Sequence, residues 1–185
     1  SLTIKDFLYF ESMKIFSTEW PQFYTATILN WQPLLSNDKY KDVIMESLQY
    51  CVRENKVKLY AFVIMSNHIH LVWHPLHPVT KAKLQHHFMT FTAQKIKEDL
   101  KLTKPVLLET FKVDTKDRTY QLWKRNALSV DLFTPKVLQQ KIDYIHTNPV
   151  KAGLCLHPED YHYSSAKFYN TGVGDFKMLT NYLEG

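Results

Sequence analysis

Alternating and continuous apolar stretches predict strands in the first half of the chain. The segment QFYTATILNW, residues 22–31, is rich in β-branched and aromatic residues, which is typical of a strand. Residues 56–66 are mostly apolar and predict a central strand. Residues 68–74 predict a further strand, with Ser66 and Asn67 as turn material between the two. We therefore expect a tight hairpin at this point.

Helical periodicity marks three other segments. Residues 36–55 begin with cap-type residues and then place apolar side chains at helical spacing. Residues 79–101 predict a long amphipathic helix. Residues 134–148 start with Thr134 at a suitable N-cap and Pro135 at the first helical position. The apolar stripe of this last helix consists of Leu138, Ile142 and Ile145.

The order of elements predicts the fold class. Residues 107–113 and 118–130 are expected to be extended, which gives the order β-α-β-β-α-β-(β)-α. This order favours an α+β protein with a ferredoxin-like antiparallel sheet and helices packed on one face. We expect one domain over residues 21–170, an N-terminal extension over residues 1–20 and a C-terminal tail over residues 171–185.

Composition narrows the possible classes. Hydrophobic residues make up 45% of the chain and charged residues 22%, as in an ordinary globular protein. The longest apolar run, residues 59–65, is too short to span a membrane. The net charge of +5 leaves nucleic acid open as a partner.

Two further features favour a cytoplasmic protein. Cys51 and Cys155 lie far apart and form no CxxC motif, so reduced thiols are expected rather than a disulfide framework. Charged residues interrupt the first segment early, which argues against a signal peptide: Lys5, Asp6 and Glu11.

The strand at residues 68–74 carries a histidine pair. Successive side chains on a strand alternate between faces, so His68 and His70 share one face while Ile69 can enter the core. Neutral imidazole is the commonest metal-ligating side chain, but two such ligands hold a divalent ion weakly and a third is needed. The alternative is two half-exposed histidines on a solvent face.

The helix at residues 134–148 carries a second constellation. Tyr144 and Asn148 lie four residues apart, so they share a helix face, beside the apolar stripe. An amide oxygen of Asn148 would suit Mg²⁺ or Mn²⁺. Alternatively, Pro149 ends the helix, Asn148 caps a short turn and Tyr144 is an ordinary boundary aromatic.

The two constellations together resemble a known family. NHIHLVW at residues 67–73, YIHTNPVKAGL at 144–154 and PEDYHYSSA at 158–166 resemble the HUH single-tyrosine transposases. The branch most similar to them is that of the REP-associated tyrosine transposases, relatives of the small transposases of single-strand insertion sequences. The resemblance runs from about Phe23 to Tyr169, most of the chain.

The resemblance implies a ferredoxin-like fold and the cleavage and rejoining of single-stranded DNA through a 5′-phosphotyrosine intermediate. It matches Tyr144 to the nucleophile, and His68, His70 and Asn148 to the ligands of a divalent metal, Mg²⁺ or Mn²⁺. The insertion-sequence branch usually has Gln where Asn148 stands, so direct ligation and ligation through water both remain open. The residue that activates Tyr144 is not identified, and His146 should point away from it on a helix.

Single-stranded substrates bind to cationic grooves and aromatic stacking surfaces. LWKR, with a tryptophan beside two cations, stands where the family has a Trp-x-Arg element. A solvated helix face is the alternative for the lysines. The residues expected to contact single-stranded or hairpin DNA are Lys83, Arg118, Trp123, Lys124 and Arg125.

Other functions are also compatible with the sequence. A relaxase or replication initiator would use the same chemistry, although such proteins usually carry longer chains and further motifs. A domesticated protein could bind hairpin DNA without cutting it. A structural β-hairpin protein would make both constellations coincidental. Insertion-sequence relatives form dimers and REP-associated relatives can act as monomers, so a homodimer is also open.

Overall fold

A computed structural model describes residues 20–174 and 176–183 of the chain. The predicted N-terminal extension lies outside the described residues, apart from Trp20. The strands are β1 (Gln22–Thr27), β2 (Val57–Ile64), β3 (His68–Pro75), β4 (Lys112–Thr115), β5 (Arg118–Tyr120) and β6 (Leu128–Asp131). The helices are α1 (Asp38–Arg53), α2 (Lys81–Thr103), α3 (Pro105–Glu109), α4 (Pro135–Lys151) and α5 (Ala166–Thr171).

The main sheet has the predicted topology. Its strand order is β2-β3-β1-β6, and each neighbouring pair is antiparallel. Strands β2 and β3 form the expected hairpin, closed by a 2.8 Å hydrogen bond from the Met65 amide to the His68 carbonyl. Strand β1 then lies between β3 and the late strand β6, so residues far apart in sequence meet on adjacent strands. The predicted α+β ferredoxin-like sheet is confirmed.

Helices cover both faces of this sheet, whereas the sequence predicted one face. Ile69, Leu71 and Trp73 of β3 pack into a core with α1 and α2. Val72, on the opposite face of β3, packs in a second core with the apolar stripe of α4. The reason is that the inner strands are apolar on both sides, so one helical layer would leave half of their surface in water. Helix α4 therefore covers the face of the sheet opposite to α1 and α2.

Helix α4 begins as predicted and ends later. Thr134 is the N-cap, and its hydroxyl accepts a hydrogen bond from the Val137 amide at 3.3 Å. The helix continues through Pro149 to Lys151. Proline removes one amide donor near the helix end, and burial of the Pro149 ring offsets that loss. One more turn of helix is thereby added beyond Asn148.

Two segments differ from their predicted form. Strand β1 ends at Thr27, whereas the predicted strand ran to residue 31, because Leu29–Trp31 form a short 3₁₀ turn. Residues 105–109 are the short helix α3, so the expected extended conformation over 107–113 is wrong in its first part. Pro105 starts this helix, and the burial of Leu108 and Phe111 holds it against the α1/α2 core. The described tail residues return to the sheet, where the Thr180 amide donates to the Leu59 carbonyl at 2.9 Å.

Within residues 20–174 and 176–183, no helix is both long and apolar enough to cross a membrane.

Candidate active site

The histidine pair lies on the face of β3 that is covered by α4. His68 and His70 have ring centroids 4.8 Å apart, and Ile69 points into the opposite core. Thr27 and Thr25 of β1 stand directly across from His68 and His70. The strand alternation read from the sequence thus places both imidazoles side by side on one surface.

Each imidazole is held through its Nδ1 atom. His68 Nδ1 lies 2.7 Å from Asn67 Oδ1, and His70 Nδ1 lies 2.7 Å from Thr25 Oγ1. The Phe23 ring stacks on His70 with centroids 5.3 Å apart. These contacts fix the ring planes and leave the Nε2 atoms as the nitrogens for a further ligand.

Burial keeps both imidazoles neutral. It lowers the pKa of His70 to about 3, with further lowering from the charges of His68 and Lys141. Burial also lowers the pKa of His68. Both side chains are therefore uncharged at neutral pH, the form in which imidazole binds a metal ion.

Helix α4 brings Tyr144 to this pair. The Tyr144 ring contacts His70 edge-on at a centroid distance of 5.4 Å and Phe23 at 5.8 Å. Its side chain is nevertheless 41% exposed. The ring is thus fixed against the sheet while a large substrate can still reach the residue.

Asn148 lies one turn beyond Tyr144 on the same helix. Its Nδ2 atom donates to the Tyr144 carbonyl at 2.6 Å. The amide nitrogen is thereby used within the helix, and Oδ1 is the side-chain atom that could ligate a metal. Asn148 therefore follows Tyr144 in the same helical stripe.

Two lysines complete this stripe. Lys141 Nζ lies 4.7 Å from the Phe23 ring centroid and 5.8 Å from that of Tyr144. Lys151 Nζ lies 5.6 Å from the Tyr144 ring centroid. Lys141 lies within the predicted helix, three residues before Tyr144, but Lys151 was not expected because the helix was predicted to end at residue 148. Together they put two positive charges beside the tyrosine.

His146 points away from the tyrosine, as its position on a helix predicts. Its Nε2 atom lies 2.8 Å from Ser165 Oγ, and its ring packs against Tyr169. Ser165 in turn accepts a hydrogen bond from the Phe62 amide at 3.0 Å. His146 thus joins α4 to β2 and leaves the activation of Tyr144 to other groups.

The DNA-contact residues predicted from the sequence fall into two environments. Lys83, Arg118, Lys124 and Arg125 are exposed. Trp123 is only 5% exposed and packs in the α1/α2 core, where its Nε1 atom donates to Thr92 Oγ1 at 3.0 Å. Most of its ring is therefore packed in the core, although Trp123 also lines the cleft described next.

Three of the exposed cations line one cleft. The cleft has a volume of about 640 Å³ and lies between α2 and residues 117–127; its cations include Arg118, Lys124 and Arg125. Asp117 pairs with Arg118 at 2.6 Å and with Arg125 at 3.1 Å, which orders both guanidinium groups. Lys83 lies on the first turn of α2.

The cleft is joined to the histidine pair through β1. The Lys124 amide donates to the Thr27 carbonyl at 2.7 Å, and Thr27 stands across from His68. Leu128 of β6 likewise pairs with Thr25, the partner of His70.

The donor set fits a divalent metal ion with few protein ligands. Among the described residues, no cluster of three or more His, Cys, Asp or Glu side chains could hold a metal. The donors predicted from the sequence are the imidazoles of His68 and His70 and the amide of Asn148. Two neutral imidazoles with free Nε2 atoms suit a transition metal or Mn²⁺, and an amide oxygen suits Mn²⁺ or Mg²⁺.

Comparison with known proteins gives a fold match. No protein-family model and no curated protein match this chain. A solved structure of a REP-associated tyrosine transposase bound to a REP hairpin matches it with a TM-score of 0.61. The sequences are 16% identical, and the match covers 90% of this chain and 94% of that chain. This protein therefore has the fold of a tyrosine transposase over nearly its whole length.

Proposed function

We propose that this protein is a DNA transposase of the REP-associated tyrosine type, a metal-dependent endonuclease and strand transferase that acts on single-stranded or hairpin DNA. The observation that carries this proposal is the contact between Tyr144 and His70. Two motifs more than seventy residues apart, on β3 and α4, meet at one surface. Coincidental motifs would have no reason to meet there.

The chemistry assigned to Tyr144 is covalent catalysis. Its Oη atom attacks a backbone phosphorus in line, a P–O bond to Tyr144 forms, and the bond to the 3′ oxygen breaks. The 3′ oxygen takes up a proton as the phenol loses one. The phosphotyrosine keeps the energy of the phosphodiester bond, so a second 3′-hydroxyl can reverse the step and join a new end without ATP.

His68, His70 and Asn148 are the residues that would hold Mg²⁺ or Mn²⁺. The ion, when bound, would polarise the phosphate and offset its developing negative charge. The contribution of the chain is to supply neutral imidazoles on a rigid strand, since burial keeps His70 unprotonated at neutral pH.

Lys141 and Lys151 would assist Tyr144. The phenol oxygen becomes negative as the proton leaves, and nearby cations offset negative charge at the site. The two ammonium groups lie 5.8 and 5.6 Å from the Tyr144 ring centroid. They are also placed to attract the phosphate that the tyrosine attacks.

DNA would be held by the exposed cations of the cleft and its edge: Lys83, Arg118, Lys124 and Arg125. The hairpin bound in the fold relative supports a hairpin as the substrate. The cleft and the histidine pair are separate places on the molecule, which suits a strand that is anchored at one and cut at the other.

The proposal is tested with labelled single-stranded hairpin DNA from the flanks of the encoding gene. Wild type, Tyr144→Phe and His68→Ala are incubated with the DNA and Mg²⁺ or Mn²⁺, then run on a denaturing protein gel. We expect a covalent adduct with wild type only, and its loss when a chelator is added.

Retained binding of the hairpin without any adduct would contradict the enzymatic part of the proposal. That result would instead favour a protein that binds hairpin DNA without cutting it. An adduct that forms equally with Tyr144→Phe would contradict the assignment of the nucleophile.

A further inference from the structure

We propose that Asn67 is a positioning residue that fixes the tautomer of His68, so that Nε2 carries the lone pair that faces the metal. Thr25 orients the ring of His70 through the contact between its hydroxyl oxygen and Nδ1, but it does not fix the tautomer. This inference rests on the proposed function, since it assigns a purpose to the residues around the proposed metal ligands.

The backbone at Asn67 is held by hydrogen bonds from the loop that follows β1. The Ile28 amide donates to the Asn67 carbonyl at 2.8 Å, and the Leu35 amide donates to the Ser66 carbonyl at 2.8 Å. The loop that follows β1 thus holds both residues of the β2–β3 turn. The turn is rigid for this reason, and the side chain of Asn67 starts from a defined position.

The orientation of the Asn67 amide follows from its partners. Its Nδ2 atom lies 3.3 Å from the Trp31 carbonyl, which can only accept a hydrogen bond. The other amide atom, Oδ1, then faces His68 Nδ1 at 2.7 Å. Because Oδ1 can only accept, His68 must donate from Nδ1, and its Nε2 atom is left unprotonated.

The Trp31 carbonyl is itself held in a constrained backbone. Asn30 and Trp31 have φ angles of 54° and 57°, a left-handed conformation that is unusual for tryptophan. Local strain of this kind persists only where the surroundings enforce it. Here the left-handed conformation points the Trp31 carbonyl at Asn67. The Trp31 ring lies edge-on to His68, with ring centroids 6.1 Å apart.

Thr25 has a weaker hold on the tautomer of His70. A hydroxyl can donate or accept, so the 2.7 Å contact with Nδ1 permits either tautomer. Thr25 therefore orients the ring, and a ligand at Nε2 would select the protonated Nδ1. The two histidines thus differ: the tautomer of His68 is set before any metal binds, and that of His70 is set on binding.

The tautomer of His68 is measured first in the metal-free protein. Histidine labelled with ¹⁵N is observed by long-range ¹H–¹⁵N NMR, at a pH above the titration of every histidine. We expect His68 with its proton on Nδ1 in wild type, and a mixture of both tautomers in Asn67→Leu. Asn67→Asp should restore the Nδ1 proton, because a carboxylate also accepts only.

Thr25→Val is the matched control. It has almost the shape of threonine without the hydroxyl, and it should leave the tautomer of His68 unchanged. A wild-type His68 protonated on Nε2, or an unchanged tautomer in Asn67→Leu, would overturn the inference. Thermal unfolding of each variant shows that the fold is retained, and Asn67→Asp gives a second test if Asn67→Leu does not fold.

Mn²⁺ binding is measured separately, by calorimetry or electron paramagnetic resonance. Loss of an outer-shell partner typically weakens metal binding about 10- to 100-fold, and we expect that loss for Asn67→Leu. Equal Mn²⁺ affinity in wild type and Asn67→Leu would overturn the role of Asn67 toward the metal. If wild type shows the expected tautomer but binds no Mn²⁺, the metal site of the proposed function is wrong and the link from Asn67 to His68 stands.

Discussion

Burial lowers the pKa of both His70 and His146, but their partners give them different tasks. His70 contacts a threonine and an exposed tyrosine, so one nitrogen is left for a ligand. His146 uses Nε2 on Ser165 and packs against Tyr169, which ties α4 to β2. Type and burial alone do not separate the two residues. The hydrogen-bond partners of the ring nitrogens distinguish the two residues.

The role of His146 predicts how stability depends on pH. Burial lowers its pKa from 6.5 to about 4 in the folded protein. Between these values the unfolded chain binds a proton that the folded chain does not, so the free energy of unfolding falls as the pH falls. The full effect is about 3 kcal/mol, reached near pH 4.

This dependence is measured by urea unfolding in steps from pH 7 to pH 4, with a chelator present. His146→Gln keeps a polar partner for Ser165 and removes the titrating group. We expect it to lose clearly less stability than wild type over that range. Parallel losses in the two proteins would show that His146 is not held neutral by the fold.

At the level of elements, the site depends on the docking of β3 and α4 on one face of the sheet. The sequence predicts both elements and the face of each functional side chain, because strand and helix periods fix those faces locally. It does not predict that the faces meet, since that follows from the position of β1 between β3 and β6. Lys151 was missed for a local reason, the tolerated proline before it.

Helix α4 should be weakened by loss of its N-cap. Thr134→Ala removes the acceptor of the Val137 amide, which typically costs about 1 kcal/mol. Thr134→Ser keeps the hydroxyl and should stay near wild type. Urea unfolding of the three proteins measures this difference, and an alanine variant as stable as the serine variant would contradict the capping role.

Local sequence did not predict the burial of Trp123 or the helix α3. The residues around Trp123 are basic, which suggested a DNA-stacking aromatic, but Trp123 fills the α1/α2 core. Residues 107–109 have strand-forming neighbours, and packing of Leu108 nevertheless makes them helical. In both places tertiary burial decided a question that composition left open.

In the whole molecule, the cleft lies on the α2 side of the sheet and the histidine pair on the α4 side, and the proposed function gives them different steps, binding and cutting. Arg125→Ala should weaken hairpin binding about tenfold, the equivalent of one charge-assisted contact of about 1.5 kcal/mol.

Trp123→Phe keeps most of the packing and loses the bond to Thr92, so it should lower stability and leave DNA affinity unchanged.

Fluorescence anisotropy with a labelled hairpin measures both affinities, and thermal unfolding measures both stabilities. A strong loss of DNA affinity in a well-folded Trp123→Phe protein would mean that the ring contacts DNA after all. Unchanged affinity in Arg125→Ala would remove the cleft from the DNA path.

The proposed function requires that Tyr144 becomes covalently bonded to DNA, and peptide mapping of the adduct identifies the bonded residue. The chain has 11 tyrosines, and trypsin releases residues 142–151 as a peptide in which Tyr144 is the one tyrosine. After the DNA is digested with nuclease, mass spectrometry should find the added nucleotide on this peptide. The same mass on a peptide with any other tyrosine would contradict the account.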